Sequence, residues 1–135
     1  MRRKKPVNLL TEVELEFMNE LWGLGEGSVR EVLDRLPPER NLAYTSGATI
    51  LRILELKGFV TSRKEGKSHI YAPALTKDTY QARSLRDLSA KLFDDTPASL
   101  VARLVDDAGL TASDLEDIRA LVERRLQDDG DESGT

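Results

Sequence analysis

The sequence has no cysteine and a single histidine, His69, in 135 residues. The first absence excludes disulfides, thiolate metal sites and cysteine nucleophiles. The second leaves histidine-rich metal sites and Ser/His/Asp groupings almost nothing to build on. Neither a phosphate-binding glycine loop nor a nucleophile–base set is legible, so an enzyme has no support and no cofactor is implied. Aromatics are only 5% of the chain and charged residues 33%, a mix that favours small helical units over a large β core. No run of 18 apolar residues exists, so no segment reads as a membrane span. The basic start, Met1 to Lys5, has no apolar stretch behind it and does not read as a secretory signal. A cytoplasmic, non-redox, soluble protein is the resulting expectation.

Positive charge is also in deficit. The chain holds 20 Lys+Arg against 24 Asp+Glu, for a formal net charge of -4. That balance argues against a histone-like protein that binds polyanions indiscriminately. The acid is unevenly placed, however. In residues 40–77, Arg40, Arg52, Lys57, Arg63, Lys64, Lys67 and Lys77 face only Glu55 and Glu65. The chain reads as a mildly basic N-terminal module followed by an acidic C-terminal one.

Local signals divide the first module. Thr11-Glu12-Val13-Glu14 is a capping box, and Val13, Phe17, Met18, Leu21 and Trp22 follow at helical spacing until the glycines from Gly23 to Gly27. Ser28-Val29-Arg30-Glu31 is a second capping box, with Val29, Val32, Leu33 and Leu36 on one face and Pro37-Pro38 as the stop. A third helix is predicted over 45–57, with Gly47, Ile50, Leu51 and Leu54 inward. Residues 59–63 and 68–72 are rich in β-branched and aromatic side chains, and Lys64-Glu65-Gly66-Lys67 lies between them as a turn.

Three short helices and a hairpin are the winged helix-turn-helix arrangement, in which the third helix enters the major groove and the hairpin touches the backbone. The residues fit that use. Thr45, Ser46, Thr49 and Arg52 lie opposite the apolar face of the third helix, and Arg52 has the fork that reads a guanine edge. Tyr44 is placed to bond a phosphate or cap the helix, and Lys57 stands at the helix end. Arg63, Lys64 and Lys67 put cations on the hairpin. Each signal has a plainer reading: Thr45 as a cap, the hairpin cations as a solvated turn, the basic stretch Arg2 to Lys5 as a solvating tail instead of a phosphate-binding arm. Their ordering in one module favours DNA.

Beyond Thr76 the pattern returns to amphipathic helix, with Thr96-Pro97 and Thr111 to Asp114 as start signals. Leu85, Leu88, Leu92, Phe93, Leu100, Leu104, Leu115, Ile118, Leu121 and Val122 exceed what so short a unit buries alone. They predict a homodimer interface, or else a fold-back onto the same chain. The expected organisation is a basic arm over 1–7, a winged helix over 8–76, a helical dimerisation domain over 77–127 and an acidic disordered tail over 128–135. The fold class is mainly α with a small β-hairpin.

Several of these residues resemble a known family. Leu10-Thr11-Glu12 with Leu21-Trp22, Val29-Arg30-Glu31-Val32-Leu33, Leu42-Ala43-Tyr44-Thr45 with Thr49, Lys57-Gly58, and Gly66-Lys67 with Tyr71 and Pro73 look like the penicillinase-repressor family, the BlaI/MecI/CopY group. The resemblance implies a homodimeric repressor binding a palindromic double-stranded operator through residues 45–57 and a wing over 59–72. The alternative is a winged-helix module that binds protein and not DNA.

The departures from the family are specific. The family usually has a β-branched residue at Gly47. A glycine within a helix costs about 1 kcal/mol relative to alanine, and it either loosens the recognition helix or permits close backbone approach. Many relatives have Arg at the Ile53 position, where here Arg52 precedes it. Copper-responsive members carry a cysteine cluster that this chain lacks. The β-lactam-responsive members have an upstream signalling protease as partner and are cut at an Asn-Phe bond. The matching position looks like Arg103-Leu104.

Overall fold

A computed structural model describes residues 9–133; the basic arm expected over 1–7 lies outside them. The elements are α1 (Glu12–Leu24), β1 (Gly27–Ser28), α2 (Val29–Arg35), a 3-10 turn (Pro38–Arg40), α3 (Tyr44–Leu56), β2 (Val60–Glu65), β3 (Ser68–Pro73), α4 (Lys77–Leu92), α5 (Pro97–Asp107) and α6 (Ala112–Ser133). The chain divides into two compact units, one up to Asp87 and one from Leu88.

Both capping boxes form. The Thr11 hydroxyl accepts from the Glu14 N–H, and Glu14 accepts from the Thr11 N–H in return. Ser28 and Glu31 repeat the exchange at the start of α2. These boxes satisfy donors that a helix start otherwise leaves unpaired. The apolar faces then meet. Phe17, Met18 and Leu21 of α1, Val32 of α2 and Leu51 and Leu54 of α3 are fully buried together.

The sheet has three antiparallel strands in the order β1-β3-β2. The third strand is an addition to the hairpin expected from sequence. Gly27 and Ser28 pair with Tyr71 and Ile70, so two residues before α2 become the outer strand of the wing. The wing turn is also tighter than expected. Glu65 pairs with Ser68, leaving only Gly66 and Lys67 in the loop. Gly66 has φ 61°, which suits a two-residue turn with glycine leading.

The first turns of α4 serve this unit. Tyr80 is buried, its ring lies 5.8 Å from Trp22 and 6.0 Å from Phe59, and its hydroxyl accepts from the Leu10 N–H at 2.8 Å. The expected boundary after Thr76 therefore falls before a residue that packs in the winged-helix core.

In the second unit, Thr96 holds the N-cap position of α5, before Pro97, but its side chain makes no capping hydrogen bond, whereas Thr111 and Asp114 exchange hydrogen bonds at the start of α6. Helix α6 continues to Ser133, into the segment where a disordered tail is expected. Arg125 pairs with Asp129 one turn on at 3.2 Å and carries helical structure past Asp128. None of the ten residues predicted for an interface is buried, and Leu85, Leu92, Leu104, Leu115, Leu121 and Val122 are exposed.

Candidate nucleic-acid interface

Helix α3 carries an exposed stripe of Thr45, Thr49, Arg52 and Leu56, spaced at four, three and four residues. Tyr44, Ser46 and Ile53 flank it and are also exposed. The opposite side is fixed by packing. Gly47 is buried, and a Cβ there would lie 3.0 Å from Leu33 Cδ2. The glycine thus lets α3 approach α2 closely, which decides between the two readings of this position. The N-cap of α3 is Ala43, with no side-chain hydrogen bond, so Thr45 is not the cap of its helix. No side chain caps the first turn of α3, the kind of helix start that can receive a phosphate.

The cations sort into two groups. Residues 9–76 contain eight Lys and Arg, and four are committed to carboxylates. Arg35 pairs with Glu20 at 3.0 Å and Arg40 with Glu16 at 2.6 Å. Lys57 Nζ lies 2.8 Å from Glu14 Oε2. Arg63 is held by Glu26 at 2.8 Å and by Glu65 at 2.9 Å. Arg30, Arg52, Lys64 and Lys67 have no carboxylate within 4 Å among the described residues. Two of the nine residues expected to contact DNA, Lys57 and Arg63, therefore spend their charge inside the protein.

The pairs perturb their carboxyls as expected. Burial alone pushes Glu14 up, but hydrogen bonds from Lys57 and the Thr11 backbone, with the Lys57 charge, outweigh it and leave the carboxyl below its usual value. The Arg63 hydrogen bonds lower Glu26, and Glu26 and then Glu65 raise the Arg63 guanidinium. Beneath α3, burial pushes the Tyr71 phenol up; Glu55 adds to this and the Arg52 charge opposes it. Glu55 is tied to the wing, accepting from the Ser62 hydroxyl at 2.8 Å.

The sequence reading missed three exposed residues here. Arg30 has its guanidinium carbon 5.5 Å from the centroid of the Tyr44 ring. Ile53 and Leu56, the latter 81% exposed, are apolar side chains on the outer side of α3. Arg30 hides in a capping box, and its contact with a ring 14 residues on leaves no periodic signal. His69, also exposed, pairs in register with Lys64 on the wing.

With this geometry established, comparison with known proteins identifies the lineage. The family model described as "Penicillinase repressor" matches residues 10–124. The chain belongs to this family. A relative named transcriptional regulator BlaI from Mycobacterium tuberculosis is 33% identical over 117 residues, 84% of this chain and 83% of that protein. The methicillin resistance regulatory protein MecI of Staphylococcus aureus is 20% identical over 86% of this chain and 94% of its own. A solution structure of the DNA-binding domain of the repressor BlaI is 26% identical over 57% of this chain and 94% of that domain, with a TM-score of 0.48. The penicillinase-repressor match runs from Leu10, next to the α1 cap, to Arg124 within α6.

Proposed function

We propose that this chain is a sequence-specific transcriptional repressor that binds a palindromic operator as a homodimer. The sorting of cations carries the reading. Four cations without carboxylate partners lie on α2, α3 and the wing, the elements a winged helix applies to DNA. Arg52 suits a guanine edge, Thr45, Ser46 and Thr49 offer hydroxyls, and Ile53 and Leu56 suit thymine methyls. Lys64 and Lys67 suit phosphates. Relatives named as regulators support the same reading, and membership of a repressor family makes the chain a regulator rather than an enzyme.

The homodimer rests on the second unit. Leu92, Leu121, Val122 and Leu126 are each more than half exposed in the single chain. A second copy covers such a surface, and two-fold symmetry doubles the half-sites read. No helix among the described residues is long and apolar enough to cross a membrane. A cytoplasmic location follows from the proposed action on DNA. A signalling protease that cut at Arg103-Leu104 would meet the middle of α5, which must open locally before it is cut.

A gel shift against the promoter upstream of the protein's own coding region, with light scattering on the same sample, tests the proposal. A dimer that shifts this DNA with affinity falling steeply with salt is expected. A monomer, or no shift there or on neighbouring promoters, would overturn it in favour of a protein-binding module.

A further inference from the structure

We propose that Arg30 is a DNA phosphate contact and that Tyr44 is the residue that positions it. The inference rests on the reading of this chain as a DNA-binding protein. Arg30 is the second residue of α2, the helix that crosses the DNA backbone in a helix-turn-helix, and Tyr44 is the first residue of α3. The other arginine of α2, Arg35, is bound to Glu20 of α1. Arg30 has acidic neighbours within reach in sequence, Glu31 beside it and Asp34 one turn on. Neither takes it. Glu31 is used by the Ser28 N–H in the capping box, and Asp34 makes no ion pair among the described residues.

The guanidinium instead rests 5.5 Å from the centre of the Tyr44 ring, which is itself half exposed. The two partners differ in what they leave behind. A carboxylate cancels the charge and occupies the N–H donors. A ring face attracts the cation through its quadrupole and leaves net charge and donors available. A guanidinium so held keeps the fork that grips phosphate oxygens, with fewer rotamers to give up on binding. Tyr44, Thr45 and Ser46 form the first turn of α3, so Arg30 extends the α3 contact surface onto α2.

The test is fluorescence anisotropy of the full-length protein on operator and random duplexes over a salt series. Arg30→Ala should weaken both duplexes alike and reduce the salt slope by about 1 per protomer. Arg30→Lys should recover the slope but not the full affinity. Tyr44→Phe should keep the full salt slope, because the ring that holds Arg30 remains, whereas Tyr44→Leu should lose more affinity than Tyr44→Phe, and less so when Arg30 is already alanine. Melting curves on each variant separate lost binding from lost folding. An unchanged slope in Arg30→Ala, with wild type still binding, would overturn the inference alone, as would a loss confined to one base pair. Equal losses in Tyr44→Phe and Tyr44→Leu would show the hydroxyl at work and overturn the positioning role. Absence of salt-dependent binding by wild type would overturn the DNA reading itself.

Discussion

Leu33 occupies the space where a side chain on Gly47 would begin: its Cδ2 lies 3.0 Å, and its Cδ1 and Cγ 3.2 Å, from that position. The contact sets how closely α2 and α3 pack, and so how far the exposed stripe of α3 projects.

Substitution at Gly47 tests this directly. Gly47→Val should destabilise the protein by about 1–3 kcal/mol through overpacking against Leu33. In Gly47→Ala the strain is opposed by about 1 kcal/mol of better helix propensity, so a smaller change is expected. Urea midpoints give both values. A neutral valine variant would show that Leu33 moves aside freely.

Glu14 predicts the response to acid. Its carboxyl is depressed in the folded state, so the unfolded chain binds the proton more readily as pH falls. The stability it contributes is fully present above about 4.5, the ordinary value for glutamate, and is lost as pH falls through the folded value. Glu14→Gln should lower stability at neutral pH and reduce the loss between neutral and acid pH, since Glu16 and Glu26 retain their own dependence. An unchanged acid response in denaturation measured at several pH values would show that the Glu14–Lys57 pair does not stabilise the fold.

Arg52 predicts specificity. Arg52→Ala should cost about 1–3 kcal/mol on the operator and much less on random DNA. Competition binding measures the ratio, and an unchanged ratio would remove Arg52 from base readout.

The two groups of cations predict opposite behaviour. Lys64→Ala with Lys67→Ala should weaken binding to every sequence and reduce the salt slope by about 2 per protomer. Arg63→Ala should leave the slope near its wild-type value, because Glu26 and Glu65 already neutralise that charge. A full unit lost from the slope in Arg63→Ala would show that the ion pairs open on DNA.

The apolar surface of the second unit predicts assembly. Leu121→Glu places a charge on an exposed apolar position of α6 and should shift the protein from dimer to monomer by light scattering. A variant that stays dimeric would move the interface away from Leu121.

Local features were legible in the sequence because neighbours decide them. Thr11 and Glu14, or Ser28 and Glu31, find each other across three residues, and a spacing alone reveals them. Strand β1 was not legible, since Gly27 and Ser28 have no strand character of their own and extend only because Tyr71 and Ile70 lie alongside. The division of the cations escaped for the same reason. Glu14 meets Lys57 across 43 positions and Glu26 meets Arg63 across 37, so a charge count over residues 40–77 included charges already spent.

That division also governs how such a protein finds its target. With half the cations of residues 9–76 bound to the chain's own carboxylates, few counterions should be released when the proposed repressor meets random duplex. For the proposed repressor this predicts short residence on random duplex, and a search by frequent dissociation and recapture rather than long one-dimensional slides. On that reading the internal ion pairs tune the tempo of the search as well as the fold.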